Sequence, residues 1–173
     1  MVSNNPLPFT AASTMSSQLL TTWSGYQRSI DEILALTCRS LSIFDADLAL
    51  LKLDDPARHA HLQRLLVRRN EASRLTIVVQ RAEFVHQHCP RLLRLLSLYA
   101  PALSIIEAPS SLAALQDSLL IADERHLLVR FDRQQPRARQ LINAADDCTP
   151  YVARFAEILA EGGQALSPTT LGL

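Results

Sequence analysis

Arg74-Leu-Thr-Ile-Val-Val-Gln80 is the stretch from which the rest of the chain can be read. Ile77, Val78 and Val79 follow one another without a polar residue between them, so the strand must be buried on both faces. That is the pattern of a sheet covered by helices on either side. Upstream, Asp55-Pro56 is a helix start, a capping carboxylate followed by a residue that needs no amide donor. Leu62, Leu65 and Leu66 give that helix a buried face, and Arg64, Arg68 and Arg69 a wet one. Further back, Ser40-Leu-Ser-Ile-Phe-Asp45 reads as a strand, preceded by a helix over Tyr26 to Cys38 whose Ile30, Ile33, Leu34 and Cys38 share a face. Downstream, Pro90 to Tyr99 is predicted as a helix stopped by Pro101, and Ala102-Leu-Ser-Ile-Ile-Glu107 as a strand. The order is α-β-α-β-α-β, the signature of parallel crossovers.

The pattern then changes. Ser118-Leu-Leu-Ile-Ala122 and His126-Leu-Leu-Val-Arg130, separated by Asp123-Glu124-Arg125, predict a hairpin. A short strand is expected over Arg139-Gln-Leu-Ile142, then a final helix capped at Thr149-Pro150 with Val152, Phe155, Ala156 and Leu159 on one face, ended by Gly162-Gly163. The expectation is an α/β fold: a mixed, mostly parallel sheet flanked by helices, with a C-terminal hairpin and closing helix. Residues 1–24 are expected to be a flexible leader, 25–162 the domain and 163–173 a flexible tail.

A chain of 173 residues with 48% hydrophobic content buries a core without staples, and its formal net charge is zero. No global field steers it to nucleic acid or an acidic membrane. Lys52 is the only lysine and the other sixteen basic residues are arginines, a bias better explained by a GC-rich bacterial coding sequence than by anion binding. Cys38, Cys89 and Cys148 lack metal-ligand spacing and are expected to be reduced, mostly buried thiols of a cytoplasmic protein. No window has the length to span a bilayer, and the opening residues lack the features of a signal peptide. Gly25, Gly162, Gly163 and Gly172 are the only glycines and form no phosphate loop, so no cofactor is expected.

Three βα units, a hairpin and a closing helix resemble one half of a phospholipase-D-like enzyme. Such enzymes carry a histidine, a lysine two residues later and, after four more residues, an aspartate, on the first hairpin strand. Gln116-Asp117-Ser118-Leu-Leu-Ile-Ala-Asp123 keeps this spacing and the aspartate, with Gln116 for the histidine and Ser118 for the lysine. In that family the histidine attacks a phosphodiester and the lysine stabilises the phosphoryl oxygens. Glutamine has no ring nitrogen for the first task and serine no charge for the second, so the resemblance implies a non-catalytic module. Ser40 to Leu48, Ser118 to Arg130, the last helix with Phe155 and Leu171-Gly172-Leu173 also resemble a bacterial family of unknown function whose members occur alone or fused behind GNAT-type acetyltransferases. From these resemblances come the expected pocket of Gln116, Ser118, Asp123, Asp45 and Asp47, and two expected partners: a second copy of the chain through the old active-site face, or an acetyltransferase.

The remaining constellations point to ordinary roles. His59-x-His61 and His86-x-His88-Cys89, the latter expected in a loop, lack a third ligand pair, so no metal is expected. Asp45 and Asp47 end a parallel strand, where α/β folds place ligands, yet capping the next turn is their expected task. A metal-assisted hydrolase using Asp45, Asp47 and Asp123 is a weaker alternative. Arg125, Arg130, Arg133, Arg137 and Arg139 concentrate charge around the hairpin, with Arg125 and Arg130 the candidates for anion binding. Asp123, Glu124 and Asp132 interleave with them and aromatic stacking partners are lacking, so nucleic acid is not the expected partner.

Overall fold

A computed structural model describes residues 14–67 and 73–167. Three parallel strands, β2 (Ser40–Asp45), β3 (Arg74–Val79) and β4 (Leu103–Glu107), lie side by side, joined by crossovers through α2 (Pro56–Val67) and through α3 (Glu83–His88) with α4 (Pro90–Tyr99). Antiparallel to β2 runs β5 (Ser118–Ala122), followed by β6 (His126–Arg130) and β7 (Ala138–Ile142) as a meander. Strands β1 (Ser16–Leu20) and β8 (Gln164–Ala165) complete one sheet in the order β1-β7-β6-β5-β2-β3-β4-β8. Helix α1 (Trp23–Leu36) packs with α2 and α4 on one face, and α5 (Ala145–Ala160) covers the other.

Strand alternation divides the core in two. Leu75, Ile77 and Val79 of β3 join Ile30, Ile33, Leu62, Leu65 and Leu92 beneath the first helical layer, while Val78 joins Leu119, Ile121, Leu127 and Phe155 beneath α5. The unbroken apolar run of β3 is thus spent on two cores, which is why it does not alternate with polar residues. All five residues of β5 and of β6 are buried for the same reason.

The sequence expectations fail at the margins. The expected leader contributes β1, which pairs with β7 in register Ser16 to Ile142, so the order begins at least by residue 16. The expected tail contributes β8, and Leu166 is buried. A side chain at Gly163, with φ of 143°, would run into the Glu107 carbonyl oxygen, so glycine lets the chain lie against β4. His86 and His88 sit on α3, not in a loop. The last helix begins at Ala145, with Pro150 inside it; Ala144 supplies no side-chain cap, and a proline ordinarily signals a break, so the sequence hid this start. Residues 168–173, including Leu171-Gly172-Leu173, and Arg68 and Arg69 lie outside the described residues.

Candidate functional site

The register that places Leu119 opposite Phe44 brings Ser118 beside Asp45, and Ser118 itself lies opposite Arg130. Arg130 and Asp45 end apolar strands with side chains only 2% exposed, and Arg130 Nη2 stands 3.6 Å from Asp45 Oδ2. Arg130 Nη1 donates to the carbonyl oxygens of Arg133 (2.7 Å) and Asp132 (3.2 Å), and its guanidinium lies 5.3 Å from the Tyr26 ring centre and 5.9 Å from that of Trp23. Asp45 Oδ1 accepts the amides of Leu48 (2.9 Å) and Asp47 (3.2 Å), the turn-capping expected of it. Burial pushes the Tyr26 hydroxyl above its ordinary pKa, with Arg130 pulling the other way. Asp45 Oδ2 and Arg130 Nε make no hydrogen bond, so the ion pair carries a desolvation cost that direct contact does not fully offset.

This cluster is closed. Arg130 is not available to an outside anion, contrary to the sequence expectation, because strand alternation turns it inward with His126 and Leu128 and the 131–137 loop caps its guanidinium. Arg133 is likewise engaged, donating to Leu115 O (2.6 Å) and Gln80 Oε1 (3.0 Å). Gln116 is exposed and donates only to Ala114 O, at 3.4 Å. Asp47 faces outward, paired with Arg81 at 2.7 Å.

Asp123 belongs to the other end of the strand. Five residue steps along the strand separate it from Ser118, roughly 17 Å at the usual strand rise. It and Glu124 form the hairpin turn with φ of 52° and 57°. The Asp123 carboxylate accepts three backbone amides, from Arg39 (2.7 Å), Ser40 (2.8 Å) and Cys38 (2.9 Å), and so pins the α1–β2 connection to the hairpin. The expected five-residue pocket is therefore corrected: Ser118 lies beside Asp45, Asp47 meets Asp45 only through its backbone amide, and Gln116 and Asp123 lie apart. Spacing along a strand fixes which residues share a face but says nothing of the length between the ends.

Beside that turn opens a cavity of about 690 Å³, lined among others by Cys38, Arg39, Glu124, Arg125, His126 and Asp146. His126 is 4% exposed, its Nδ1 accepting the Asn143 amide at 3.2 Å, and burial holds its pKa below the ordinary histidine value. Sequence reasoning passed over His126, although alternation places it inward with Arg130. It passed over Tyr26 and Trp23 as well, whose neighbours are set by packing alone. Among the described residues no three His, Cys, Asp or Glu side chains group as metal ligands.

No protein-family model matches the chain, and no curated protein matches its sequence. Solved structures do match its shape. Nuc from Salmonella typhimurium, a phospholipase D family member, superposes with a TM-score of 0.59 at 10% identity over 88% of this chain and 99% of its own. The fold is phospholipase-D-like. A phosphatidylserine synthase of Haemophilus influenzae gives 0.60 at 12% identity over 92% of this chain and 41% of its own. TrmBL2, an archaeal chromatin protein described with a novel mode of DNA binding, gives 0.64 at 10% identity over 87% of this chain. The chain spans about half of TrmBL2, 54% of its length. These likenesses concern the phospholipase-D-like fold alone. No helix among the described residues is long and apolar enough to cross a membrane.

Proposed function

We propose that the chain is a phospholipase-D-like module without phosphodiesterase chemistry, serving in binding or assembly. What carries the reading is the closed Arg130–Asp45 cluster, with Ser118 buried beside it and Gln116 in solvent. Attack on a phosphodiester needs a nucleophile and a cation free to meet the phosphoryl oxygens. None of the five histidines hydrogen-bonds to Arg130, Asp45 or Ser118, and His126 sits at the far end of the hairpin. Arg130 is spent on partners within the chain. Turnover of bis(p-nitrophenyl) phosphate and of single-stranded DNA tests this directly, and neither should exceed the buffer rate. Turnover that disappears in Ser118→Ala or Arg130→Gln would overturn the reading.

Assembly has its own support at this end, where Trp23 and Phe131 are 41% and 43% exposed beside the cluster. A homodimer through this face is the partner proposed first. Sedimentation of the protein and of Trp23→Asp/Phe131→Asp decides it: a dimer that dissociates in the variant supports it, and a monomer at every concentration removes it. An acetyltransferase partner is a separate proposal that copurification from the native host tests.

A further inference from the structure

The cavity at the turn end of the hairpin takes no part in the reading above. We propose that it binds a small zwitterion of the α-amino-acid class, the carboxylate held by Arg125, His126 and the start of α5, the ammonium by Glu124 and Asp146. A volume of about 690 Å³ lies within the range of small-molecule pockets.

His126 is the most informative lining residue. A neutral ring whose Nδ1 accepts the Asn143 amide carries its proton on Nε2. Among the described residues that nitrogen makes no hydrogen bond, yet it is not sealed off, and His126, a residue only 4% exposed, lines the cavity. Buried polar groups ordinarily have partners, and a ligand or water in the cavity would supply one here.

Charge decides the class. Arg39 and Arg125 line the cavity without an ion pair among the described residues, and α5, a helix of 16 residues, begins there with no side-chain cap at Ala144. The amides of Ala145 and Asp146 have no acceptor among the described residues and lie at the positive end of the helix. Opposing them, Glu124 and Asp146 also line the cavity with no ion-pair partner among the described residues, whereas Asp123 is already occupied by three amides. A simple anion would meet these two carboxylates, and a simple cation the arginines and the helix start. A molecule with both charges answers each. The frame is held in a demanding shape, since Asp123, Glu124 and Asn143 are three of the five non-glycine residues with positive φ among the described residues, and all line this cavity.

The test is a melting-temperature screen of the whole protein with each common L-amino acid at millimolar concentration, followed by calorimetric titration of any that stabilises it. At least one should bind, and its N-acetyl and carboxamide derivatives should each bind at least about tenfold more weakly, a loss of ~1.4 kcal/mol. Arg125→Gln and His126→Phe should weaken it similarly, while Arg94→Gln, remote from the cavity, should not. Binding by none of the amino acids overturns the proposal, as does affinity indifferent to N-acetylation or equal affinity for acetate. Phosphodiester turnover would overturn the functional reading and leave this binding intact; absent binding would leave that reading standing.

Discussion

At one end of the β5–β6 hairpin, Arg130 and Asp45 face each other with side chains 2% exposed and every approach closed. At the other end, Arg125 and Glu124 stand open around a cavity of about 690 Å³, and only Asp123 is saturated by backbone amides. Both ends carry charged side chains of both signs. The difference lies in who supplies the partners: the chain itself at the first end, solvent or a ligand at the second. Charge satisfied internally serves architecture, whereas charge left open can serve recognition.

The sharpest way to break this contrast is to remove a partner at the closed end. Arg130→Ala leaves the Asp45 carboxylate buried and unpaired, and should destabilise the fold by about 3–5 kcal/mol in urea denaturation. Arg130→Met combined with Asp45→Asn should recover a large part of that loss, because neither charge is then stranded. A fully exposed pair would show no such recovery.

Asp123→Ala at the open end should cost about 2–3 kcal/mol, the scale of hydrogen bonds to a charged acceptor when several amides lose it. Asp123→Asn, which keeps one acceptor oxygen, should cost less. Equal stability of Asp123→Ala and the parent would refute the pinning of the α1–β2 connection.

His126 gives a smaller effect with a defined sign. Burial lowers its folded pKa below the unfolded value, so the unfolded state binds the extra proton. Its contribution therefore destabilises the fold as pH falls below about 6.5, the unfolded pKa, until the folded value is passed. Urea midpoints from neutral pH to pH 5 should fall less steeply in His126→Gln. His61, also held low by burial, adds to the residual slope in the same direction.

Thiol labelling perturbs least. Cys38 is exposed and should react quickly with a disulfide reagent without changing the melting temperature. Cys89 and Cys148, buried and pushed up to about 11, should react only after unfolding. Fast reaction of all three would show that both cores are open.

The central strands were legible because their apolar runs are long enough to require two covering layers, as Ile77-Val78-Val79 shows. The margins were not. β1 carries Ser16, Ser17 and Gln18, residues without strand propensity, and exists through its pairing with β7. Helix α3, from Glu83 to His88, is one short turn-rich piece whose only buried residue is Val85, too little periodicity to read.

The sequence by itself determined the order of the central strands and their principal helices, the hairpin and the absence of histidine and lysine at Gln116 and Ser118, since each depends on local pattern or residue identity. It also determined that Asp45 would cap its own turn, a contact between near neighbours. Only the tertiary structure decided that Arg130 meets Asp45 across the sheet, that Asp123 reaches back to Cys38, Arg39 and Ser40, and that His126 borders a cavity. Those contacts join residues 85 apart in the chain for Asp123 and Cys38, and strand register, invisible in any local pattern, sets which charged groups meet and which stay open.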